Sequence, residues 1–137
     1  MALLGLSLVA FPDLVSRFRQ RVNPYAAMPP ECDLGSGACT ATFPDGQEVV
    51  LRVSPQSLRH QDPLTLTVQV EGRAQPQSVE LQGADMPMGL VKLPLNADHD
   101  LWSATGHLPA CSTERMQWRA DVILDDRVAG FTFWSVR

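Results

Sequence analysis

The chain has 137 residues, a formal net charge of −4, and 45% hydrophobic and 19% charged residues. That length and balance fit one globular domain and exclude two full domains, a wholly disordered chain and, with a mean hydropathy of −0.06, a multi-span membrane protein. The acidic balance gives no electrostatic footprint for a phosphate backbone, so nucleic acid is not an expected partner.

Residues 1–15 are nearly all apolar and are followed by Arg17, Arg19 and Arg21. As a helix they would cover roughly 22 Å, short of a bilayer's hydrocarbon thickness of about 30 Å. A secretory signal places its positive charge before the apolar run, whereas here the arginines follow it. The expected assignment for residues 1–22 is an apolar helical segment, either a membrane anchor or an amphipathic helix lying on a surface. Residues 23–38 then read as a linker containing Cys32, and residues 39–137 as the folded domain.

Eleven prolines and nine glycines punctuate the chain too often for long helices and predict short strands joined by turns. Cys39 to Phe43 runs into the turn tripeptide Pro44-Asp45-Gly46, and Glu48 to Val53 returns as the second arm of a hairpin. Leu64, Leu66, Val68 and Val70 alternate with Thr65, Thr67 and Gln69, the period-2 pattern of a half-buried strand. Ser78 to Gln82 and Leu90 to Leu95 alternate again, and Asn96 to Asp100 reads as a loop. Leu101 to Leu108, Gln117 to Leu124 and Val128 to Val136 complete seven or eight strands, the last two joined by a turn at Asp125-Asp126. The predicted fold is all-β, an antiparallel β-sandwich with one Greek-key-like arrangement. Trp102, Trp118 and Trp134 fall one on each of the last three strands, where packing of core and rim accounts for them.

Motifs for catalysis are absent: no G-x-S-x-G, no Gly-rich phosphate loop, no H-E-x-x-H and no C-x-x-C. Asp98, Asp100, Asp125 and Asp126 sit in turns, where aspartate is favoured for backbone reasons. Asp98-His99-Asp100 reads as an exposed hairpin tip. The protein is therefore expected not to be an enzyme.

Sulfur is the more informative element. Met86 and Met88 stand two apart in Gly83-Ala-Asp-Met-Pro-Met-Gly89, where an apolar thioether has little packing reason to be. Residues two apart in an extended chain point the same way, although Pro87 favours a period of three that would splay them. Thioether and thiolate ligands select Cu(I). His107, Cys111 and Met116 follow in a second cluster, able to complete a trigonal or tetrahedral shell if the two segments share one end of the sandwich. Of three cysteines one is left over in a monomer. Cys32 and Cys39 flank a glycine-containing loop that lets them meet, a bridge worth about 2 kcal/mol, while pairing of Cys111 with either stays open. A disulfide implies an oxidising compartment.

Met86-Pro-Met88-Gly89, then Leu101-Trp102-Ser-Ala-Thr-Gly106, Leu108-Pro109, Trp118 to Leu124 and a last strand from Val128 to Val136 together resemble the small YtkA-like and FixH-like domains. The likeness covers about Val49 to Val136, and the segment Cys111 to Gln117 departs from the family pattern. The resemblance implies an extracytoplasmic, membrane-anchored immunoglobulin-like domain on the periplasmic side of the inner membrane. It also implies copper handling or assembly of copper-containing respiratory oxidases. The expected function is a Cu(I)-binding accessory or chaperone-like domain serving a copper-recipient or oxidase-assembly protein. Met86 and Met88 would be its principal ligands, joined by Cys111, Met116 or His107. The alternatives are a metal-free interaction module and a thiol redox protein using Cys111 with Cys32 or Cys39.

Overall fold

The computed structural model of the protein describes residues 25–55, 59, 62–72, 74–84, 89–109 and 114–137. The apolar segment 1–22, with its expected helix, lies outside them. The described chain is all-β, with ten strands in two five-stranded sheets. Sheet A has the order β1-β10-β9-β5-β6, built from β1 (Tyr25–Ala27), β10 (Val128–Val136), β9 (Arg115–Leu124), β5 (Pro76–Gly83) and β6 (Val91–Pro94). Sheet B has the order β2-β3-β4-β8-β7, built from β2 (Cys39–Thr42), β3 (Glu48–Ser54), β4 (Pro63–Val70), β8 (Leu101–His107) and β7 (Asn96–Asp98). Neighbouring strands are antiparallel except β1 and β10, which run parallel.

Alternation decides what lies between the sheets. On β4, Leu64, Leu66 and Val68 are fully buried and Thr65 and Thr67 only half-buried. On β9, Met116, Trp118, Ala120, Val122 and Leu124 point inward, and Ala129, Phe131 and Phe133 answer from β10. Each large aliphatic side chain so placed contributes about 1.5–3 kcal/mol relative to exposure. Trp118 also has its indole N–H donating to the Ser135 hydroxyl at 2.8 Å, which satisfies the one polar atom that its burial carries inside.

The hairpins read from the sequence form as expected. Thr42 pairs with Glu48 around a turn in which Gly46 takes φ +92° and the Asp45 carboxylate accepts the Gln47 amide at 3.1 Å. Ile123 pairs with Val128 across Asp125-Asp126.

Two short elements differ from the sequence reading. Residues 96–98, read as loop, form β7, and the chain turns at His99, whose φ of 57° lets it serve as the exposed tip. Tyr25–Ala27, inside the segment read as a linker, is a strand of sheet A, with Ala26 buried against the core. Three residues are too few to show a period, and Gly130 explains how they fit. A Cβ there would run into the Tyr25 phenol, so glycine lets the ring lie where it does.

Candidate functional site

The register sorts the connections between two ends of the sandwich. One end, the turn end, holds the β2–β3, β7–β8 and β9–β10 turns together with the β4–β5 connection. The other, the loop end, holds the longer β3–β4, β5–β6 and β8–β9 connections and the C-terminus.

Of the sulfur residues singled out, Met86 and Met88 lie in the β5–β6 connection and Cys111 in the β8–β9 connection, all three outside the described residues. The strand ends that flank them are described. Gly83 pairs with Trp118, and the Ala84 amide donates to the Gln117 carbonyl at 3.0 Å. The end of β5 and the beginning of β9 are therefore bonded neighbours, so both connections start from the same end of the sandwich.

A second contact closes the same region from the β6 side. The Leu93 side chain packs against Gly106 on β8, where a Cβ would lie 2.8 Å from Leu93 Cδ2. Glycine at 106 thus lets β6 of sheet A approach β8 of sheet B, and the next residue is His107. His107 ends β8 opposite Pro63 and is exposed, and with Gly106 facing inward its imidazole belongs to the outer face.

Met116 differs from the expected ligand. It is 3% exposed on the inner face of β9, in register with Trp118, and its thioether fills the core beneath the loop end. Strand period explains this: Arg115 and Gln117 take the outer positions, and Met116 between them goes inside.

Cys32 and Cys39 form a disulfide with a Cα–Cα separation of 5.9 Å. The four turn aspartates are exposed. Asp98 lies 3.9 Å from His99 at the β7–β8 tip, and Asp125 accepts a hydrogen bond from Gln77 at 2.7 Å. Among the described residues no group of three His, Cys, Asp or Glu side chains is placed to hold a metal ion. Among them no helix is long and apolar enough to cross a membrane.

Sequence reasoning missed the polar anchor of the turn end. Arg127 donates to Gln47 Oε1 at 3.0 Å, pairs with Asp45, and lies over the Phe43 ring at 5.0 Å, tying the β9–β10 turn of sheet A to the β2–β3 turn of sheet B. The Arg127 guanidinium, followed by the Gln47 amide, holds the Asp45 carboxyl down to about 2 from its ordinary 3.8. Gln47 and Arg127 are 80 residues apart in the chain, so no local pattern announces the contact. On the outer face of sheet A, Arg115 stacks on Trp134 at 4.0 Å and Arg119 lies 5.7 Å from the Tyr25 ring centre while its Nε bonds Asp121 at 3.1 Å. The cation-π contacts thus involve the protein's own arginines.

Comparison with protein-family models, with curated proteins and with solved structures finds no match for the chain.

Proposed function

We propose that the protein is an extracytoplasmic, immunoglobulin-like copper accessory domain that binds Cu(I) at its loop end and hands it to a copper-recipient or oxidase-assembly protein, with no catalysis of its own. Met86 and Met88 are the principal ligands and Cys111 completes the shell, while His107, on the outer face of sheet B, stands apart from it. Met116 supports the site from below as core. The observation that carries the reading is the hydrogen bond from the Ala84 amide to the Gln117 carbonyl, which brings the methionine-bearing and cysteine-bearing connections to one end. Soft thioether and thiolate donors suit a monovalent soft ion that a partner removes one ligand at a time.

The topology supports the immunoglobulin-like part. β4 pairs with β8 and β5 with β9, while the chain passes between sheets from β4 to β5 and from β8 to β9, as expected of a Greek-key sandwich. The Cys32–Cys39 bridge supports an oxidising compartment. β1 runs parallel to β10 from Tyr25, opposite Val128, so the chain enters at the turn end.

Leu90, 58% exposed beside the β5–β6 connection, and Trp134 and Val136 on the same end favour a second reading, a metal-free apolar contact for a partner protein. Cu(I) titration against a competing chelator, with the bridge left oxidised, separates the two. The copper reading expects Met86→Leu/Met88→Leu to weaken binding by about tenfold or more, the scale on which even outer-sphere partners of ligands act. Equal affinity in the double variant removes the proposed site.

A further inference from the structure

The segment between β1 and β2 carries the chain from the edge of sheet A to the edge of sheet B. β1 sits on its edge through three parallel backbone pairs with Val128, Ala129 and Gly130. The Met28 amide on the Gly130 carbonyl at 3.0 Å extends that pairing by one bond. This is a small attachment beside the nine residue pairs that join β9 to β10. The disulfide bears directly on it. Cys39, 1% exposed, begins β2 and is fixed opposite Leu51 in the β2–β3 hairpin, while Cys32 is half-buried just beyond β1. With the bridge closed, β1 is tethered to the body through the short stretch from Met28 to Cys32. With it open, the next fixed point is Leu34, whose side chain is 1% exposed in the core, so the tether runs from Met28 to Leu34.

We propose that the Cys32–Cys39 bridge is a redox-sensitive clasp: opening it lets β1 leave the edge of β10 while the rest of the two sheets stays folded. The clasp does not depend on the copper reading. A dithiol reductant opens it by thiolate attack on the more accessible Cys32 sulfur. The S–S bond breaks with Cys39 leaving as thiolate, which takes a proton. The reductant's second thiol then displaces Cys32, so that two thiols form on the protein and one disulfide on the reductant. Lengthening a flexible tether from about four residues to about six lowers the effective concentration of β1 at its edge by about twofold. Release exposes the Val128–Gly130 edge of sheet A, a row of backbone donors and acceptors ready to pair with another strand.

Native-state hydrogen exchange at low denaturant tests the clasp, because openings smaller than global unfolding are nearly independent of denaturant. Three proteins are compared: the oxidised chain, the chain kept reduced with excess dithiol, and Cys32→Ser kept under reductant so that the remaining cysteines stay thiols. The expected result is a Met28 amide whose exchange is about twofold or more faster in both opened forms and stays independent of denaturant, with the β9–β10 amides still protected. Unchanged exchange at Met28 overturns the proposal. So does a Met28 amide that opens only with the β9–β10 amides and with their denaturant dependence, because the bridge would then stabilise the domain as a whole.

Discussion

The two ends of the sandwich are held by different physics. At the turn end, Arg127 crosses between the sheets to Gln47 and Asp45, while Gln77 to Asp125 ties sheet A and the Gln47 amide nitrogen on the Glu71 carbonyl at 3.2 Å ties sheet B. At the loop end the sheets are joined by apolar filling, with Trp118, Met116 and Phe133 between them and Leu93 set into the space left at Gly106. Short turns with polar ties close one end. The other carries the long connections, which is where binding residues are free to accumulate because the rigid strands below them carry the fold.

Substitutions can break this contrast, and the largest effect is expected in the apolar filling. Trp118→Ala removes a fully buried indole from beneath the loop end and should cost about 3–5 kcal/mol, read as a lower urea midpoint. Gly106→Ala should cost about 1–3 kcal/mol by overpacking, because the new methyl meets Leu93. Adding Leu93→Ala should recover part of that loss, and a double variant worse than the sum would show that the β6–β8 approach is not what glycine provides. Arg127→Ala should give the smallest change. Its pairs are partly solvated and screened, so its effect on the midpoint should shrink as salt is added. An Arg127→Ala loss larger than that of Trp118→Ala would reverse the assignment of the two ends.

Acid sharpens the comparison from the other side. Asp45 titrates at about 2 in the folded protein against an ordinary 3.8, so folding favours its ionised form. Its contribution is present above the ordinary value and is lost as pH falls through the folded one. A carboxyl titration followed by NMR should show Asp45 moving back toward its ordinary range in Arg127→Ala, with the loop end unaffected.

The part of this architecture legible in the sequence is the part coded locally. Leu64 to Val70 shows its strand because one face is buried over its length, and Pro44-Asp45-Gly46 shows its turn because Gly46 supplies the positive φ. β1 was hidden because Tyr25–Ala27 is stabilised by what it meets: Gly130 beneath its ring, and the parallel edge of β10. The Arg127 clamp was hidden for the same reason, since its partners are distant in sequence. Of the candidate site, the common origin of the two sulfur-bearing connections follows from pairing register, which the sequence leaves open. The burial of Met116 is legible in its place in the inward series with Trp118 and Ala120, a phase that its sulfur chemistry does not reveal.

If the loop end holds a soft metal ion while the turn end serves only the fold, Cu(I) affinity measured with a competing chelator should fall about tenfold or more in Met86→Leu/Met88→Leu and stay native in Arg127→Ala, each compared with the oxidised native protein. Copper bound equally well by the methionine variant, or not taken up by the native chain at all, overturns the assignment of the metal to the loop end.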